Sequence, residues 1–233
     1  MKIGVLKTDD VRKELVDEFG EYPEMFADLL RSQDPALAFS TYEVQHGHYP
    51  DRIDEVDAYL ITGSKAGVYD HKDWISPLMD FVRKLHEAKK PTIGICFGHQ
   101  LIAQALGGKT CKSDKGWGLG VHTYEMQETP SWMSEPMAKF SLLVTHQDQV
   151  ETLPPGGRVL ASSEFCPMAM LQVDDHMLSF QAHPEFSKPY SHSLMELRRE
   201  AFGEALVEKG QISLQNDIHE NVVAKWMLEF LRR

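Results

Sequence analysis

The chain has 233 residues, with 35 acidic against 24 basic side chains and a formal net charge of −11 at pH 7, a balance that argues against a nucleic-acid partner and for a solvated surface. A chain this long buries roughly 70% of its unfolded surface, and its three cysteines, odd in number and far apart, fit a reducing compartment and neither a disulfide framework nor a zinc site. Met1–Leu6 lacks a long apolar signal region and no run of ~18 apolar residues occurs, so a soluble, cytoplasmic protein with no membrane partner is expected.

In chain order, Lys2 to Leu6 alternates as a first strand, and Pro23, suited to the first turn of a helix, opens a segment with Phe26, Leu29 and Leu30 on one face. Phe39 to Gln45 reads as a second strand. Ala58–Ile61 is a buried-type strand leading into Thr62-Gly63-Ser64-Lys65-Ala66-Gly67, a glycine-bearing loop of the kind that exposes backbone N–H groups. Trp74, Leu78, Phe81, Val82 and Leu85 recur at helical spacing, and Pro91 to Ile95 is another short apolar strand. Strand, loop, helix, strand and helix is βαβ order. It predicts an α/β fold with a parallel central sheet covered by helices on both faces.

After Gly108 the pattern changes to short strand-like pieces: Val121 to Met126, Leu142 to Thr145, Val159 to Ser162, and a hairpin of Met168 to Val173 and Met177 to Ala182 around Asp174-Asp175-His176. Pro189 starts a helical segment carrying Leu194, Leu197, Phe202 and Leu206 that Gly210 is expected to end. Val222, Val223, Trp226, Met227 and Phe230 form a last apolar stripe, which core packing explains without any binding role. No linker or repeat interrupts this order, so residues 1–233 are read as one domain with a helical tail from about residue 187.

The apolar run Pro91–Ile95 stops at Cys96, held between Gly94 and Gly98, and from Phe97 the apolar Leu101, Ile102, Ala105 and Leu106 follow at helical spacing until Gly107-Gly108. The cysteine therefore sits on a strand-to-helix elbow, which lifts one side chain out of a sheet and sets it at the positive end of a helix. In such a place a cysteine pKa of about 8.5 can drop to roughly 3.5–7.5 and backbone N–H groups can hold an oxyanion. The plainer alternative is a small buried cysteine that happens to precede a helix.

A cysteine nucleophile needs a base and a group that orients the base. Gln181-Ala182-His183-Pro184-Glu185-Phe186 offers both: Pro184 biases His183 towards extended geometry, and residues two apart on an extended backbone share a face. A surface turn containing a satisfied histidine is the alternative. Among the other histidines, His46-Gly47-His48 is the tightest pair, but no carboxylate or cysteine is spaced to complete a ligand set; no metal site is expected.

Gly94-Ile95-Cys96-Phe97-Gly98-His99-Gln100 resembles the nucleophile elbow of the class I (triad) glutamine amidotransferases, and His183-Pro184-Glu185 resembles their histidine and glutamate. The resemblance runs clearly from Leu60 to about Phe186. It implies a Rossmann-like (flavodoxin-like) α/β fold, a γ-glutamyl thioester on Cys96, release of ammonia from glutamine, and no metal or organic cofactor. By the same resemblance, Gly63-Ser64 and the Phe97 N–H would supply the oxyanion donors. Gln100 and Trp117 (within Lys115-Gly116-Trp117-Gly118) would help hold the glutamine backbone, and Thr145-His146-Gln147-Asp148 would be the substrate loop. The loop reads Gly-Ser-Lys where many members have Gly-Gly-Pro, so Ser64-Lys65 is expected to enlarge and polarise the mouth. Three readings stay open: a glutaminase subunit passing ammonia to a separate synthase or acceptor enzyme, an independent hydrolase of γ-glutamyl compounds, and a degenerate binding protein.

Overall fold

The computed structural model describes residues 1–233. β1 (Lys2–Lys7), α1 (Lys13–Phe19), α2 (Tyr22–Arg31), β2 (Ala38–Glu43), β3 (Ala58–Ile61), α3 (Ile75–Glu87), β4 (Thr92–Ile95) and α4 (Phe97–Ala105) form the first half. β5 (Lys109–Lys112), β6 (Gly118–Met126), β7 (Lys139–His146), β8 (Asp148–Thr152), β9 (Gly157–Ser162), β10 (Met170–Val173) and β11 (Met177–Phe180) follow. α5 (Lys188–Leu197), α6 (Arg199–Phe202), α7 (Glu204–Ser213) and α8 (Glu220–Leu231) close the chain.

Nine strands share one sheet in the order β2-β1-β3-β4-β11-β10-β9-β6-β7, and β5 pairs with β8 apart from it. From β2 to β11 every neighbouring pair is parallel; counting β11 as the fifth strand, this is the flavodoxin-like order of doubly wound folds. From β11 outwards the pairing turns antiparallel, beginning with the β10–β11 hairpin. In such folds ligands gather at the carboxyl ends of the parallel strands. The segments after β1, β3, β4 and β11 all emerge there, and they carry Asp9, Gly63, Cys96 and His183.

Alternation along the strands divides the core in two. Ile3, Val5, Leu60 and Ile93 face Phe26 and Leu30 of α2 and Val223, Trp226 and Met227 of α8. Leu6, Tyr59 and Ile61 face Leu78, Val82 and Leu85 of α3 and Leu101 and Ile102 of α4. Trp226 is fully buried, its Nε1–H donates to the Glu135 carbonyl at 3.1 Å, and its ring meets Phe140 edge-on at 5.4 Å. Trp226→Ala is therefore expected to cost about 3–5 kcal/mol in urea denaturation, with no change in the active-site labelling described below in the molecules that remain folded.

Several boundaries differ from expectation. α1 contributes only Leu15 to the core, too little apolar pattern to read. The second strand stops at Glu43, and Val44–His46 is a short 3-10 turn closed by Gly47 in the left-handed region. The Pro189 segment breaks into three helices at Arg198 and Gly203. Gly210 ends nothing: it lies inside α7, where its backbone approaches Gly120 of β6 so closely that a Cβ at 120 would stand 2.5 Å from the Gly210 carbonyl oxygen. No helix is long and apolar enough to cross a membrane.

Candidate active site

Cys96 directly follows β4 and caps α4 with φ 50° and ψ −97°, a strained backbone for a residue with a Cβ. Both flanking glycines are sterically required. A Cβ on Gly94 would sit 2.6 Å from the Gly98 carbonyl oxygen, and one on Gly98 would sit 2.5 Å from that of Ile61. The elbow is thus pressed onto β3 from one side and closed on itself from the other. The thiol-bearing residue remains only slightly exposed, at the floor of a cleft of ≈ 570 Å³.

His183 reaches the same cleft from the end of β11, where its N–H donates to the Leu143 carbonyl of β7 at 2.9 Å. Its Nδ1 donates to Glu185 Oε1 at 2.7 Å, and the two side chains are 5% and 0% exposed. That bond fixes the ring and leaves Nε2 for the cysteine side. Burial by itself disfavours the imidazolium, but the Glu185 charge and then the Cys96 sulfur outweigh it and lift the His183 pKa from 6.5 to about 10. Phe186 lies flat on the ring, with centroids 3.9 Å apart and planes 7° apart, an arrangement that also favours the cation.

The loop after β3 forms the opposite wall. Thr8 Oγ1 donates to the Gly63 carbonyl at 2.8 Å, and Asp9 accepts from the Lys65 N–H at 2.8 Å and from its ammonium at 2.7 Å. The Ser64 and Phe97 N–H groups are not used by any other group of the chain, so both are available as anion donors. Lys65 lines the cleft with its ammonium paired to Asp9, so the polarity it brings to the mouth is that of an ion pair and not of a free cation. A Cβ at Gly63 would meet the His183 ring at 2.9 Å. Gly63→Ala is accordingly expected to lower kcat/KM roughly 10²-fold by displacing the ring, with little change in melting temperature; steady-state assays beside thermal melts check it.

Gly63, Ser64, Gln100, Trp117 and His146 all line the cleft with Cys96 and His183, while Glu185 stands behind the histidine and Phe97 offers its backbone. The Gln100 amide donates to the Asp148 carbonyl at 2.8 Å and to Gln181 Oε1 at 3.2 Å, and Gln181 in turn donates to Cys96 Sγ at 3.7 Å. Gln100 therefore braces the sulfur through Gln181 and has both amide hydrogens engaged. His146 donates from Nδ1 to the Asp148 carbonyl at 3.2 Å. Burial, followed by repulsion from His122, pushes its pKa down to about 3, so it is a neutral ring. Trp117 packs edge-on against Phe202 at 4.9 Å.

The glutamine amidotransferase class-I family model matches residues 16–198. The chain belongs to the class-I glutamine amidotransferases. It is 34% identical over 155 residues to γ-glutamyl peptidase 3 of Arabidopsis thaliana, an alignment covering 63% of this chain and 62% of that relative. It is 30% identical over 250 residues to a protein of Schizosaccharomyces pombe named glutamine amidotransferase-like, covering 98% of each. A glutamine-hydrolyzing GMP synthase of Caldanaerobacter subterraneus is 28% identical over 193 residues, 79% of this chain but 34% of the synthase. Among solved structures, a glutamine amidotransferase of Thermotoga maritima superposes with a TM-score of 0.75 at 19% identity over 99% of this chain and 96% of its own; at that identity the likeness concerns the fold.

In this class-I amidotransferase two further residues enter the site that the sequence reading did not single out, Gln181 and Phe186. Gln181 had a signal, since it precedes His183 by two on an extended backbone and so shares its face. Phe186 had none beyond adjacency. The His46–His48 pair lies exposed. The grouping with metal-type donors is elsewhere: His86, Asp174 and His176 converge where α3 ends beside the β10–β11 turn, the two imidazoles hydrogen-bonded at 3.0 Å.

Proposed function

We propose that the chain is a glutamine amidotransferase-like hydrolase that cleaves γ-glutamyl amides through a thioester on Cys96. What carries the proposal is the conjunction of the positive-φ elbow at Cys96 with the 2.7 Å His183–Glu185 bond at the same cleft. In this mechanism His183 holds the proton of the pair and the Cys96 sulfur adds to the γ-carbonyl carbon. The N–H groups of Ser64 and Phe97 receive the oxyanion, each contributing on the order of 2.7–4 kcal/mol. The C–N bond then breaks as His183 passes its proton to the departing nitrogen. Water, deprotonated by the same ring, adds to the thioester and releases glutamate. Glu185 keeps the ring in one tautomer throughout.

Two leaving groups fit this chemistry, ammonia from glutamine and an amine from a γ-glutamyl peptide. The cleft of ≈ 570 Å³ lies within the range of small-molecule sites and supports the second beside the first, as does the likeness to γ-glutamyl peptidases. The test is to assay the purified chain alone on glutamine and on γ-glutamyl dipeptides. Release of glutamate from either supports independent hydrolysis. Inactivity on both, reversed by a separate synthase, would establish a conditional glutaminase subunit instead.

A further inference from the structure

One side of the cleft carries two guanidinium groups that nothing in the chain neutralises. Arg198 follows α5, half-buried, with its guanidinium 5.0 Å from the Trp117 ring centroid and 4.3 Å from that of Phe202. Its neighbour Arg199 is held by Glu196 and Glu204, but the Arg198 side chain has neither an ion pair nor a hydrogen bond. Arg12, which precedes α1, is likewise without a carboxylate, and it lies near enough to Arg198 to repel it. The acids of the cleft are otherwise engaged: Asp9 with Lys65, Asp10 with Lys7, Asp70 with the Gly67 N–H, and Asp148 with Tyr69. In a protein of net charge −11, a half-buried guanidinium without a partner, with the exposed Arg12 as a second cation near it, is a place where an anion would gain charge-assisted hydrogen bonds.

Their position decides which part of a substrate they meet. His183 must protonate the departing nitrogen, so the leaving group lies on the histidine side of Cys96. That side is built from Phe186, stacked on His183, and from Tyr22, Val11, Tyr190 and Leu194 packed around it. Arg12 directly follows Val11, Arg198 lies one helical turn beyond Leu194, and both line the cleft. We propose that Arg198, bedded on Trp117 and Phe202, acts with Arg12 as a receptor for a carboxylate on the departing half of the substrate. The preferred substrates are then γ-glutamyl peptides whose leaving amino acid or dipeptide ends in a free carboxylate. Trp117 serves this preference by holding Arg198 in place. The preference presupposes the hydrolytic function proposed above.

The experiment compares γ-glutamylglycine with γ-glutamylglycinamide, which differ only in that terminal charge, using the full chain and its Arg198→Gln and Arg12→Gln variants. Wild type is expected to favour the acid about tenfold or more in kcat/KM, the scale of a charge-assisted hydrogen bond, and Arg198→Gln to bring the ratio close to one, with Arg12→Gln intermediate. Equal rates on acid and amide in the wild type overturn the proposal. So does an equal loss on both substrates in Arg198→Gln, which would assign the guanidinium to the γ-glutamyl α-carboxylate. Kd values of both compounds for Cys96→Ser, measured by calorimetry, read the same charge preference without turnover. A chain that turns over neither compound yet binds the acid about tenfold more tightly refutes the hydrolytic function and keeps the receptor; turnover with no acid preference in rate or Kd does the reverse.

Discussion

Cys96→Ala is expected to reduce hydrolysis of every γ-glutamyl substrate by roughly 10⁴-fold or more, the scale on which removal of a covalent nucleophile acts. The melting temperature should stay within a few degrees, because alanine leaves the backbone of the elbow as it is. The other two thiols provide the internal control. Cys166 is buried and its pKa is pushed up to about 12, chiefly by that burial, and Cys111 sits on β5 beside Glu151 and is also raised by desolvation. A γ-glutamyl-mimicking electrophile such as a diazo-norleucine should therefore mark Cys96 alone. Mass spectrometry finding the label on Cys111 or Cys166, with Cys96 spared, would falsify the assignment.

The second large effect separates the base from its orienting partner. His183→Ala is expected to lose nearly as much activity as Cys96→Ala, while Glu185→Gln loses one to two orders of magnitude less, since the glutamine can still accept from Nδ1 without stabilising the imidazolium charge. The pH dependence supplies a readout that misfolding would not imitate. His183 has its pKa raised in the folded protein, so the stability from its protonated form is complete below about pH 6.5 and is lost as pH rises through about 10. Glu185→Gln removes the largest of the raising contributions. The gap in melting temperature between wild type and variant should accordingly be widest near pH 6 and shrink towards pH 10. Equal, complete inactivation of both variants, with a gap that does not vary over that range, would leave Glu185 without its orienting role.

The parallel half of the sheet was legible because each strand is a short apolar run stopped by a turn signal: Ala58–Ile61 by Thr62-Gly63, Thr92–Ile95 by the cysteine elbow. The rest was hidden where long-range pairing supplies what local pattern lacks. β5 and β8 are short, with polar residues at their ends, and exist as strands through each other. β6 begins at Gly118 and runs through Gly120, residues that weaken a strand unless a neighbour needs the room, and here the Phe165 ring takes that room at Gly118 and α7 takes it at Gly120. In the site, the elbow and the His-Pro-Glu turn were visible because their geometry is local. The sulfur's brace through Gln100 and Gln181 was not, since it joins α4 to the end of β11. Nor was Arg198 visible: what matters about it is the absence of a partner, and only the packed chain reveals that.

The backbone of Cys96 also bears on how the chain would age under mutation. A side chain held at φ 50° and ψ −97° stores about 1–3 kcal/mol of conformational energy, and glycine at the same position would release much of it. Cys96→Gly should consequently melt above Cys96→Ala although neither turns over substrate. For a descendant relieved of its chemistry, residue 96 would be among the few places where inheritance and thermodynamics pull in opposite directions. Drift towards glycine there would mark the loss of selection for turnover before the rest of the fold recorded it.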